Sequence, residues 1–141
     1  MTARGLSGLA APSIADFDSL ATAAFEALPA HFRALCGDVV FRVEDFPSDE
    51  ILDDMQAESP FDIMGLFQGI GLAHDQAVAE TGRLPNMVFL YRRPILDYWA
   101  EHEETLGAIV THVLVHEIGH HFGLSDADME AIEAASDLPS L

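Results

Sequence analysis

The stretch His116-Glu117-Ile118-Gly119-His120-His121-Phe122-Gly123-Leu124-Ser125-Asp126 decides how the rest of this 141-residue chain is read. Its core, H-E-x-x-H, predicts a metal-binding helix of the zinc-hydrolase kind. On a helix, His116 and His120 leave the same face about 6 Å apart along the axis. Two ring nitrogens so spaced can reach one tetrahedral Zn²⁺ at roughly 2.0–2.1 Å. Glu117 sits about 100° around the helix from His116, close enough to touch a metal-bound water without being placed as a ligand. That division of labour suits hydrolysis. The metal lowers the pKa of its water, and the carboxylate takes the proton as the water attacks a carbonyl.

The residues after the second histidine sharpen the reading. Gly123 stands three residues beyond His120, where a helix can stop in the left-handed conformation that glycine adopts at little cost. The chain can then turn back and bring Asp126 toward the same metal, in a metzincin-style H-E-x-x-H-x-x-G-x-x-D layout with Asp replacing the last His. The expected site is therefore Zn²⁺ on His116, His120 and Asp126, water in the fourth position, and Glu117 as catalytic base. Asp126 has a second reading, as part of the start of a final helix, and Asp128 and Glu130 are alternative acids. His121 points away from His120 and reads as packing or as support for a ligand. His112, one turn before His116, reads either as a partner of substrate or ligand or as a core histidine. Met129 is too close to the motif to be a distant methionine turn and reads as core.

Four stretches together carry a family resemblance: Val43-Glu44-Asp45-Phe46-Pro47, Gly65-Leu66-Phe67-Gln68-Gly69, Leu90-Tyr91-Arg92-Arg93-Pro94-Ile95, and Thr111 through Asp126. In these the chain resembles the small bacterial zincin-like metallopeptidases, from about residue 40 to the C-terminus. The resemblance implies a compact zincin fold, zinc at His116 and His120, and Glu117 as the base. It brings no defined substrate, and residues before about Ser13 have no counterpart in it.

Size and charge narrow the function classes. One domain is expected over residues 13–141, behind a flexible leader at 1–12. Half the residues are hydrophobic, so a packed core is expected despite a formal charge of −18. With 24 acids, six arginines and no lysine, the chain has no basic stripe to neutralise phosphates. Nucleic acid and anionic membranes are poor partners on that ground, and the acidity reads as solubility. Cys36 is the only cysteine, which excludes an intramolecular disulfide and suits a reducing compartment. The first residues lack a signal-peptide pattern, no run is long enough to span a membrane, and a cytoplasmic location is expected.

The periodicities predict an α+β fold, with a small mixed sheet packed on an N-terminal helix and a buried active-site helix. Ser13 and Asp16 form a helix-start signature, and Ile14, Phe17, Leu20, Ala21, Ala24, Phe25 and Leu28 recur at helical spacing. Pro29 interrupts that helix, and a further turn runs to Cys36 and Gly37. Val39, Phe41 and Val43 alternate with Val40, Arg42 and Glu44 as in a half-buried strand. A short acidic helix runs from Ser48 to about Gln56, and a short strand from Ile63 to Gln68. Residues 73–85 read as a polar connection, and Met87–Tyr91 as a central buried strand. Helices are expected from Pro94 to about His102, from about Thr105 to Phe122, and from Asp126 to about Ala135. The second of these is apolar all round and hence buried, so its polar residues need a reason, which a metal supplies. Trp99 reads as core. Tyr91, Tyr98, Arg92 and Arg93 are candidate oxyanion partners, the plainer reading of the arginines being pairs with surface acids. The weak strand at Gly65–Gly69 reads as a sheet edge, either protected or open to an extended peptide.

These readings converge on a Zn²⁺-dependent peptidase acting on a peptide or protein. Only 15 residues come after Asp126, so the cleft is expected to be shallow, or completed by a partner protein or a second copy. Two rivals stand beside it. One is a metal-binding interaction module without chemistry. The other is a metal-dependent ribonuclease, against which Glu117, Asp126 and the acidity argue.

Overall fold

The computed structural model describes residues 3–69 and 86–136. Within the expected leader, Ala3–Ser7 form a short helix, α1. Farther on, the carbonyl of Pro12 accepts a hydrogen bond from Arg92 Nε at 2.6 Å, which fastens the segment to the rest. Ser13 then starts α2, Ile14–Glu26: its hydroxyl accepts from the Asp16 amide at 3.0 Å, and the Asp16 carboxylate accepts from the Ser13 amide at 2.8 Å. After Pro29, α3 spans Ala30–Cys36 and stops at Gly37, whose φ of +62° suits glycine.

Strand β1, Val39–Glu44, leads to α4, Asp49–Asp54, capped by the Ser48 hydroxyl. A 3₁₀ turn at Pro60–Asp62 precedes β2, Gly65–Gln68, which begins two residues later than the apolar run suggests. Strand β3 is Asn86–Tyr91, and the polar connection expected at 73–85 lies outside the described residues. Helices α5, Arg92–Glu101, α6, Leu106–His121, and α7, Asp126–Ala134, complete the order.

The sheet is mixed, with order β1-β3-β2. β1 runs parallel to β3, pairing Val39 with Asn86 through Glu44 with Tyr91. β2 runs antiparallel to β3, pairing Gly65 with Leu90 and Gln68 with Met87. β3 is thus central, as its apolar run implied. It is not fully buried on both faces, however: Val88 and Leu90 are inaccessible, whereas Met87 and Phe89 are half-covered. The first pair alone faces the helices, and alternation along a strand assigns the other to the less covered side.

α2 packs on β1 and α6, and α6 in turn on β2, β3 and α7. Phe17, Ala21 and Ala24 of α2 meet Val110, Leu114 and Ile118 of α6 in one core with Val88 and Leu90. Each large side chain buried there contributes about 1.5–3 kcal/mol. Cys36 is buried at the end of α3, and burial pushes its thiol up to about 11, which makes it a poor nucleophile at neutral pH. Trp99, expected in the core, is 36% exposed on α5. No helix among the described residues is long and apolar enough to cross a membrane.

Candidate metal centre

Thr105 starts α6, its hydroxyl accepting from the Ala108 amide at 3.1 Å. Eight residues between Ile109 and Gly119 are buried, so the helix runs through the core as its all-round apolar sequence requires. The exception is a stripe of one side chain per turn: His112, His116 and His120. Their rings succeed one another at centroid separations of 3.9 Å and 5.6 Å. His112 is therefore no core histidine; its side chain is 52% exposed.

Glu117 lies beside this stripe, where α6 passes under β2. A Cβ placed on Gly65 would come within 3.6 Å of Glu117 Cγ and 2.6 Å of Val113 Cγ1, so the strand backbone sits directly on this part of the helix. Burial there raises the Glu117 pKa above its ordinary value, and the nearby His120 partly opposes the shift. A carboxylate held in this way is a stronger base than one in water.

The end of α6 is fixed by glycine. Gly123 has a φ of +73°, its amide donates to the His120 carbonyl at 3.2 Å, and the Leu124 amide donates to the Gly119 carbonyl at 2.9 Å. This pair of bonds is a Schellman turn, which satisfies carbonyls the helix would otherwise leave open. Ser125 then starts α7, exchanging hydrogen bonds with Asp128 at 3.1 and 3.3 Å. Asp128 thus serves the cap.

The same turn lays α7 against α6. A Cβ on Gly119 would meet Met129 Sδ at 2.5 Å, so the two helices approach closely here. Met129 is fully buried, as expected. Glu133, one turn beyond it, faces the histidine stripe. His112 Nδ1 donates to Glu133 Oε1 at 2.7 Å, and Glu133 Oε2 stands 3.4 Å from His116 Nε2. Among the described residues, His112, His116 and Glu133 are the metal-ligating side chains whose donor atoms gather within 4.8 Å of one another. His120 and Asp126 stand outside that gathering. Asp126 is exposed at the first position of α7, and its carboxylate has no hydrogen-bond or ion-pair partner among the described residues.

The donor set fits a divalent cation. Two ligands at 2.0–2.1 Å on a tetrahedral metal lie about 3.3 Å apart. The His116–Glu133 separation of 3.4 Å matches that edge. Imidazole and carboxylate are also the donors that zinc accepts. Glu133 was missed from sequence. The signal available was its i+4 spacing from Met129, which has meaning only once Met129 is known to face Gly119.

The remaining candidates have other duties. His121 packs on Phe67, with centroids 4.4 Å apart, and occupies the space beside Gly69. Arg92 pairs with Asp45 at 3.0 Å besides holding Pro12, and Arg93 lies over the Phe46 ring at 5.7 Å. The Tyr98 hydroxyl donates to Glu104 at 3.1 Å. Tyr91 is fully buried, and its hydroxyl has no hydrogen-bond partner among the described residues. A separate cavity of about 360 Å³ between α3 and α7 is lined by apolar groups such as Phe32, Leu35 and Ile132, and His116, Glu117, His120 and Asp126 are not among its lining residues.

Fold, histidine stripe and half-buried glutamate are those of a small metallohydrolase of the zincin type. The sequence matches the profile of the zincin-like metallopeptidases over residues 36–135, more than half of the chain, and the protein belongs to that family. It is therefore a member of a group of metal-dependent peptidases. No curated protein sequence matches it.

Proposed function

We propose that this chain is a zinc-dependent peptidase in which Glu117 is the catalytic base. The ion would be held by His116 and His120 of α6 and by an acid of α7, for which the motif spacing names Asp126. When bound, zinc would supply Lewis acidity to a water and to the scissile carbonyl.

The observation that carries the reading is the setting of Glu117: a carboxylate with a raised pKa, next in sequence to one histidine of the stripe and electrostatically coupled to another. From there its oxygen accepts a proton from the attacking water and returns it to the leaving amide nitrogen. β2 supports the same reading. Among the described residues it is an outer strand of the sheet, and it lies against the helix at Glu117, so an extended peptide added along its outer side would run past the base.

The test uses zinc-loaded protein and a mixture of unstructured peptides, with products read by mass spectrometry. The parent is expected to cleave peptide bonds. Glu117→Gln is expected to lose about 10²–10⁴-fold in rate while keeping its zinc content and circular dichroism. A zinc-loaded parent without turnover, or a Glu117→Gln variant as active as the parent, would overturn the proposal.

A further inference from the structure

Two elements flank the histidine stripe of α6. At about 100° per residue, Val113 and Glu117, on which Gly65 of β2 rests, lie roughly 100° and 140° round the helix from His112. Gly119, on which Met129 of α7 rests, lies about 20° to the other side of His112. His112, His116 and His120 fall in the sector between these contacts. They are the floor of a groove, with β2 as one wall and α7 as the other. On the reading that this is a peptidase site, we infer that His112, oriented by Glu133, accepts a hydrogen bond from a main-chain N–H of the bound peptide and so excludes proline from one substrate position.

An extended peptide added to β2 turns the N–H and C=O of alternate residues toward that strand. The same groups of the residues between turn toward the opposite wall, lose water there and need partners. His112 stands on that side, and its ring offers an acceptor. Its Nδ1 donates to Glu133 Oε1 at 2.7 Å, and a carboxylate only accepts, so in the neutral ring Nε2 is left with a free lone pair. Nε2 has no hydrogen-bond partner among the described residues, and the side chain is exposed to the groove.

The ring is also held in place. It lies on His116, with centroids 3.9 Å apart, and Glu133 ties its other side, so little freedom is lost when a peptide arrives. The short bond of Glu133 goes to His112, since its other oxygen stands 3.4 Å from His116 Nε2. Glu133 is thus a positioning residue, and His116 is left to the metal motif. The other polar side chains near the sheet are engaged elsewhere: Arg92 with Asp45, Arg93 with Phe46 and Tyr98 with Glu104. Recognition by His112 reads the backbone, not the side chain. Any residue with an N–H satisfies it, and proline, which has none, does not.

The experiment starts from a mixture of unstructured decapeptides and zinc-loaded, immobilised Glu117→Gln protein, so that selection needs no turnover. In the peptide retained most tightly, each amide in turn is replaced by an ester, which removes one N–H and keeps the length of the chain. At one position the ester is expected to weaken binding about 10-fold, and less than about twofold once His112→Ala is added. Glu133→Ala, which frees the ring, is expected to leave a penalty of roughly threefold at that position. A merely structural role for either residue would weaken amide and ester peptides alike. With Glu117 restored, the same ester is expected to raise KM by about 10-fold at nearly constant kcat, and proline there to prevent cleavage. Circular dichroism and zinc content establish that the variants are intact, and Glu133→Ala supplies the comparison should His112→Ala fold poorly. Equal ester penalties with and without His112 at every position would overturn the inference and leave the peptidase proposal standing. Retention of no peptide at all would also overturn it. A position-specific penalty in a protein that cleaves nothing would uphold the role of His112 and overturn the peptidase proposal.

Discussion

Replacing Gly65 by alanine tests whether β2 really rests on the helix that carries Glu117. The added Cβ would lie 2.6 Å from Val113 Cγ1 and 3.1 Å from the Phe89 carbonyl oxygen. Ordinary carbon contacts are about 3.5–4.0 Å, so roughly 1 Å is missing on the valine side. Neither neighbour yields easily. Val113 is β-branched, only 4% exposed and set on the most buried helix, while the carbonyl belongs to the backbone of the central strand. Overpacking of this kind costs about 1–3 kcal/mol, and the conformational gain of alanine over glycine returns about 0.5–1 kcal/mol. The expected net loss is about 1–2 kcal/mol, or a fall in Tm of about 3–6 °C for a chain of this length. Urea unfolding of the metal-free protein measures it. Val113→Ala opens the space, so the double variant should be more stable than the sum of the singles by about 1 kcal/mol, beyond the scatter of additivity. A Gly65→Ala protein as stable as the parent, or strictly additive behaviour, would refute the close contact and with it the argument for burial of Glu117.

Two further outcomes are expected. Gly123→Ala should cost about 1 kcal/mol in urea unfolding, because its φ of +73° is unfavourable for alanine although no atom stands within 4 Å of the new Cβ; Gly123→Asn should cost less, and equal stability of alanine and glycine would show that the turn can be made otherwise. Tyr91→Phe removes a buried hydroxyl without a hydrogen-bond partner among the described residues and should leave the protein at least as stable at neutral pH. Burial, aided by Glu44, raises the Tyr91 pKa from 10.0 to about 12, so the folded parent holds its proton longer than the unfolded chain does. Through this group the parent's stability is independent of pH below about pH 10 and falls as pH rises toward 12. Unfolding curves of parent and Tyr91→Phe across that range should diverge, with the parent losing more, and parallel curves would contradict the burial of Tyr91.

The elements were legible wherever a local device fixes them. Ser13 with Asp16, Gly37 and Gly123 each mark a helix boundary through a hydrogen bond or a backbone angle belonging to a few adjacent residues. The helical spacing of Phe17, Ala21 and Ala24 likewise gave the face of α2 that is buried. His112, His116 and His120 were legible as one face because helical geometry alone aligns them. Glu133 was not, since its role depends on how two helices approach, and Gly119 reveals that approach only when Met129 is seen against it. Trp99 misled for a related reason: a large apolar residue on a helix suggests burial, but which face α5 turns inward is set by its partners. The one-sided burial of β3 is a tertiary fact of the same kind, because an unbroken apolar run looks identical whether one face or both are covered.

The hairpin of α6 and α7 has a consequence for how the site comes into being. The histidine stripe and Glu133 all fall within residues 112–133, joined by a single tight turn. Such neighbours meet early when a chain folds, because little entropy is lost in closing so short a loop. A cation held between them would then act as a rivet on the last helix rather than as a keystone for the whole domain. Its departure would free the C-terminal segment to fray while the sheet and α2 stayed assembled.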